Sequence, residues 1–170
     1  MMFNFGYYII GNNIEALEVA GLYFAISFFI LVLDLFTKHI VQKNMVPHQS
    51  IPVIKNVFHI TYVQNTGAAF SILKGKTFLF TVVSSIVIVI ITLVLIKLPA
   101  KHKAFGIVMA LILGGAMGNF IDRLRFGYVV DFLDFRVWPV FNIADCAIVI
   151  GVLILAYLIT FHPEYQSLFK

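Results

Sequence analysis

The chain has 170 residues, of which 61% are hydrophobic and 12% charged, with a net charge of +4. Ordinary soluble domains run at about 45–50% apolar and about 25% charged. A water-soluble globule of this length could not bury so much apolar surface, so lipid must solvate much of the chain. The basic residues form no tract interleaved with aromatics, which leaves nucleic acid out as a partner.

Residues 1–18 hold no Lys or Arg, only Glu15 and Glu18. The basic n-region of a signal peptide is missing, so the apolar run that follows reads as a retained first span, at about 19–37. Residues 1–13 form an extension to it, with Phe3, Phe5, Tyr7 and Tyr8 suited to a membrane interface. Asp34 and Lys38 lie four apart near the end of the span and share a helix face. Two readings stand. One is a helix-end ion pair with Lys38 snorkelling to the surface. The other sets Asp34 beside further polar groups as their support.

Residues 42–76 are too polar and too interrupted to span, with Pro47 and Pro52 as breaks. Val57 to Val63 is β-branched and aromatic and reads as a strand. Asn65-Thr66-Gly67 looks like a turn, and Ala68 to Leu73 reads as a returning strand. A small extramembrane sheet on the bilayer is expected here. His39, His48 and His59 stand alone and read as interface or packing residues, with no metal implied.

The second span, about 77–96, is uncharged and long enough to cross about 30 Å of hydrocarbon. Lys97, Lys101 and Lys103 crowd the short linker after it. The third span, about 104–121, holds Gly114 and Gly118 as a GxxxG with Gly115 and Ala116 beside them, a face for close helix packing. Gly127 opens an extended or re-entrant connection through Val137. The fourth span is expected at about 139–161, with Pro139 at its start and His162 and Pro163 at its end. Cys146, the lone cysteine, reads as a small apolar residue with no disulfide or zinc role. The whole, 1–170, reads as a single all-α membrane domain of four spans carrying a small extramembrane β-sheet.

Spans that alternate direction bring the end of the first, the end of the third and the start of the fourth to one membrane side. Those places carry Asp34 and Lys38, Asn119, Asp122 and Arg123, and Asn142 and Asp145. Asn65 and Asp131 emerge there too. A carboxylate in hydrocarbon costs about 2.5–3.5 kcal/mol on insertion scales, so intramembrane acids imply function. Asn119 and Asp122 share a helix face, as do Asn142 and Asp145. Two carboxylates in one site hold a proton between them. The ionised one can take a proton from water while the other polarises a carbonyl, as in aspartic proteolysis. Serine, cysteine and zinc mechanisms lack their partners. The rival is a proton-coupled membrane transporter using the acids as a relay. Such a protein spreads its acids across the bilayer on broken helices, whereas these cluster at one side. The charges divide on orientation: the dense 97–103 linker favours the cytoplasm, but the other side holds more basic residues in total. Asp134 reads as a surface or capping residue.

Five pieces in order resemble the lipoprotein signal peptidases, or signal peptidase II. They are Asp34-Leu35-Phe36-Thr37-Lys38, Asn65-Thr66-Gly67-Ala68-Ala69-Phe70, Gly118-Asn119-Phe120-Ile121-Asp122-Arg123, Gly127-Tyr128-Val129-Val130-Asp131-Phe132 and Phe141-Asn142-Ile143-Ala144-Asp145. The resemblance implies an aspartic endopeptidase of the bacterial inner membrane, with no cofactor. It would cut the signal peptide from a prolipoprotein just before a diacylglyceryl-modified cysteine. It places the catalytic pair on Asp131 and Asp145. Support or substrate binding would fall to Asp34, Lys38, Asn65, Gly67, Asn119, Asp122, Arg123 and Asn142. It also implies a site on the outer, periplasmic side. The chain itself is expected to work as a monomer. Leu35 departs from a glutamine common in the family, and the connection from Asp131 to Asp145 is short.

Overall fold

A computed structural model describes residues 3–67 and 76–166, with side chains of the first helix from Leu17 onward. In chain order the elements are α1 (Phe3–Asn44), β1 (Ser50–Ile54), β2 (Phe58–Asn65), α2 (Thr77–Lys97), α3 (Lys103–Phe126), β3 (Val129–Asp134), α4 (Ile143–Phe161) and a short α5 (Pro163–Gln166). A single 3₁₀ turn, Ala100–His102, leads into α3. Among the described residues, four helical segments are long and apolar enough to cross a membrane: Leu17–Asn44, Thr77–Lys97, Ala100–Phe126 and Ile143–Phe161.

The first helix is one unbroken rod from Phe3, so the extension expected at residues 1–13 is helical from its third residue. The interfacial role expected of Phe3, Phe5, Tyr7 and Tyr8 lies outside the described side chains. α3 is the central staff, packed by α1, α2 and α4. About 61% of its most apolar stretch is buried in protein, against 22% or less in the other three. Its small residues make this possible. A methyl added at Gly114 would lie 2.6 Å from the Ser27 carbonyl oxygen, and one at Gly115 would lie 2.5 Å from that of Ala144. One added at Gly118 would run into the Asp34 carboxylate. Ser27 Oγ also donates across the contact to the Ala110 carbonyl at 2.9 Å. The lipid-facing sides of the outer helices carry Phe28, Phe29, Phe36 and Phe78, all well exposed, as expected where lipid is the solvent.

The strands form one antiparallel sheet in the order β1-β2-β3. Ser50 pairs with Thr61, His59 with Asp134 and Asn65 with Val129. A register shift between Ile60 and Val63 marks a bulge in β2. The strand expected from Val57 is thus present as β2, but its partners are β1 before it and β3 after it. The returning strand expected at Ala68–Leu73 lies outside the described residues. Val41 and Met45 at the end of α1 pack under Tyr62, Val130 and Phe132, which seats the sheet on the helix bundle. Gly127 ends α3 with φ +75°, and its N–H returns to the Arg123 carbonyl at 3.0 Å. That left-handed cap suits glycine and turns the chain directly into β3.

The fourth helix begins at Ile143 rather than near Pro139. Asn142 is its N-cap, and Asp145, three residues on, completes a capping box. The cap wins over proline because it satisfies two otherwise orphaned N–H groups. Asp145 therefore belongs to the first helical turn, not to a point six residues inside a span.

Candidate active site

Asp131 projects from β3, and Asp145 from the first turn of α4. Both line one cavity of about 580 Å³ whose wall includes Asn65, Gly67, Asn119, Arg123, Trp138, Phe141 and Cys146. A second cavity of about 290 Å³, between α2, α3 and α4, shares Asn119, Arg123 and Asp145 with the first.

Asn142 joins the two aspartates. Its Nδ2 donates to Asp131 Oδ1 at 2.7 Å and to Asn119 Oδ1 at 3.1 Å. Its Oδ1 accepts the Asp145 N–H at 2.9 Å, while the Asn142 N–H donates to Asp145 Oδ2 at 3.3 Å. Asn65 Nδ2 donates to Asp131 Oδ2 at 2.9 Å, and the Gly67 N–H fixes that amide by donating to its Oδ1 at 2.9 Å. Asn119 Nδ2 donates to Asp145 Oδ1 at 2.8 Å. Burial pushes the Asp131 carboxyl up to about 7, and the charge of Asp145 adds to the rise. The amides of Asn65 and Asn142 and the charge of Lys38 pull the other way. A carboxyl balanced in this way exchanges protons near neutral pH.

Lys38 is buried, so it does not snorkel. Its Nζ lies 2.7 Å from Asp34 Oδ2 and 3.0 Å from Asp122 Oδ2. It also donates to Asn119 Oδ1 at 3.0 Å. The Asp34–Lys38 ion pair of the first reading is present, but it is buried beside Asp122 and Asn119 instead of reaching the surface. Asp122 thus pairs with Lys38 and not with its neighbour Arg123. Consecutive residues on a helix do not face each other. Arg123 Nη1 instead donates to the Asn119 carbonyl at 3.4 Å, and its guanidinium lies 5.4 Å from the Phe80 ring centroid. Among the described residues no carboxylate comes within salt-bridge reach of it.

Asp134 is 5% exposed, so it is not a surface residue. Its Oδ2 accepts from Thr61 Oγ1 at 2.7 Å and from Arg136 Nη1 at 3.0 Å, and its Oδ1 accepts the Arg136 N–H at 2.8 Å. Burial acts to raise this carboxyl, but those hydrogen bonds outweigh it and hold it low. It braces the end of β3 away from the dyad's cavity. Phe80 and Trp138 were missed in the sequence. The only signal for Trp138 was a lone tryptophan beside a proline at the edge of a span.

Two carboxyls lining one cavity beside four helices of membrane-spanning length fit a membrane-embedded aspartic peptidase. A family profile described as signal peptidase (SPase) II matches residues 26–161, and this chain belongs to that family. The chain is 50% identical over 132 residues to the lipoprotein signal peptidase of Moorella thermoacetica, covering 78% of this chain and 88% of the relative. It is 52% identical over 129 residues to that of Halothermothrix orenii, covering 74% and 86%. A solved structure described as a bacterial membrane enzyme, determined by the in meso method at 2.3 Å, superposes with a TM-score of 0.76 at 33% identity, covering 86% of this chain and 91% of that one. A second, at 1.9 Å, superposes at 0.74 with 35% identity, covering 84% and 94%. The protein is a multi-pass bacterial membrane enzyme.

Proposed function

We propose that Asp131 and Asp145 are the catalytic pair with which this enzyme cleaves the signal peptides of prolipoproteins. The observation that carries the reading is Asn142, which bonds to Asp131 with its side chain and shares a capping box with Asp145. It holds both carboxyls on one cavity. One member of the pair is ionised and takes a proton from water. The hydroxide equivalent adds to the scissile carbonyl, whose oxygen accepts a hydrogen bond from the protonated member. Collapse of the tetrahedral adduct breaks the C–N bond as a proton passes to the leaving amine. One water is consumed, and the pair returns to its singly protonated form.

The bond cut is the one just before the diacylglyceryl-modified cysteine. The apolar walls of the cavity, among them Phe141, Ile148 and Val149, suit a lipidated segment. Asn65, Asn119 and Asn142 hold the carboxyls, and Arg123 faces the cavity to position the peptide. The site opens on the outer side of the cytoplasmic membrane, a reading supported by the lysine-dense linker at the opposite end. The working unit is a monomer. Among the described residues the site's polar groups lie at one end of the bundle and α2 is unbroken, which favours the peptidase over the transporter reading.

The test is turnover of a lipidated precursor peptide by purified Asp131→Asn, Asp145→Asn and Asp134→Asn. The first two should be folded and inactive, and the third should keep most activity. Substantial turnover by either dyad variant would reject the pair.

A further inference from the structure

Lys38 is only 1% exposed, and the chemistry above gives it no proton to carry. An ammonium has three N–H bonds and accepts none. Here Nζ donates to Asn119 Oδ1 at 3.0 Å and forms ion pairs with Asp34 Oδ2 at 2.7 Å and Asp122 Oδ2 at 3.0 Å. Each of these groups leads on to the dyad. Asp34 Oδ1 accepts the N–H of Ala144, the residue before Asp145, at 2.9 Å. Asp122 Oδ2 accepts the N–H of Val130, the residue before Asp131, at 3.0 Å. Asn119 donates to Asp145 itself at 2.8 Å. Buried ion networks are often no more stable than apolar packing of the same volume. Stability alone therefore does not account for this one.

Resting on the two-aspartate reading, we propose that Lys38 is a positioning residue for the reaction: it sets the spacing of Asp131 and Asp145 through Asp34 and Asp122, and its charge holds the pair in the singly charged form. The clamp works in both respects. It ties β3 and the start of α4 to one point on α1, each one residue from the carboxyl it must place. Because the ammonium can only donate, it faces the carbonyl oxygen of Asn119. The amide nitrogen is thereby turned to Asp145. Among the described residues the other charged or titratable groups around the pair are Asp34 on α1, Asp122 and Arg123 on α3, and Cys146 on α4. β2 faces it with the uncharged Asn65, and α2 with Phe80 and Ser84. Lys38 is the cation wholly enclosed among them.

The experiment measures kcat and KM against pH for the full-length protein in detergent micelles, with a lipidated precursor peptide as substrate. Lys38→Met and Asp122→Asn are compared with wild type, with Asp131→Asn and Asp145→Asn as references. Lys38→Met should lose kcat on the order of 100-fold with KM nearly unchanged. Its acid limb should move up by about one pH unit, because a cation near a carboxylate has been removed. Asp122→Asn keeps an acceptor for the Val130 N–H but removes an anion, so its limb should move down. A merely structural role would lower the folded fraction in both and shift neither limb. A folded Lys38→Met with an unmoved limb overturns the proposal. If Lys38→Met does not fold, Asp122→Asn decides: a lowered limb supports the role and an unmoved one overturns it. Inactive dyad variants beside unmoved limbs would remove the role of Lys38 alone, whereas an active dyad variant would remove the reading beneath it.

Discussion

Asn142 performs two separable tasks, and substitution can split them. Its Oδ1 caps α4 by accepting the Asp145 N–H, and its Nδ2 holds Asp131 Oδ1 at 2.7 Å. Losing an N-cap costs about 1 kcal/mol. Losing a hydrogen bond to a charged group costs about 1.5–3 kcal/mol. Asn142→Ala forfeits both, so it should be destabilised by about 2.5–4 kcal/mol and lose its hold on Asp131. Asn142→Ser keeps a capping oxygen, since serine caps about as well as asparagine, but its short hydroxyl cannot also reach Asp131. It should recover about 1 kcal/mol of stability relative to alanine. Turnover should not recover: a missing contact of 1.5–3 kcal/mol corresponds to a loss of about 10- to 100-fold. The assays are thermal unfolding in micelles and precursor turnover normalised to folded protein. Wild-type turnover by Asn142→Ser would refute a need for the amide to hold the Asp131 carboxyl. An alanine variant as stable as the serine one would refute the cap.

Three further outcomes are expected. Folding favours the protonated Asp131, whose carboxyl sits at about 7 against an ordinary value near 3.9. Its contribution to stability is therefore full below about pH 4 and is lost as pH rises through 7. Asp131→Asn should unfold at a higher temperature than wild type at pH 8 and with a flatter pH dependence; equal curves would contradict this. Gly118→Ala should cost about 1–3 kcal/mol in thermal unfolding, because its methyl runs into the Asp34 carboxylate, and an unchanged midpoint would speak against that close approach. Cysteines placed at Lys55 and Lys101 in a Cys146→Ala background should label from opposite sides of intact cells. Labelling of both from outside would remove the proposed topology.

Much of this architecture was legible because lipid makes span length and charge placement informative. Apolar runs near 20 residues gave the four spans, and their alternation brought the polar groups to one end. The rest depended on contacts far apart in sequence. β3 reaches β2 across some seventy residues, a pairing that no local pattern announces. β1 was hidden by Pro52, which would argue against a central strand. An edge strand tolerates it, and β1 is at the edge. The start of α4 was misplaced because proline and asparagine both signal helix entry, and only the Asn142 capping box decided between them. Arg123 stands next to Asp122 in sequence. The helix turns them apart, and the partner of Asp122 proved to be Lys38, at the far end of α1.

The bond from the Ala144 N–H to Asp34 spans 110 residues, and it bears on how the enzyme is made. A ribosome delivers α1, α2, α3 and β3 before it delivers α4. A chain halted after β3 already carries Asp131, but it lacks Asn142 to hold that carboxyl and Asp145 to share its proton. Asp34 lacks its backbone donor as well. On the proposed assignment the second carboxyl of the pair arrives only with the last long helix, so the pair is complete only once that helix has been made.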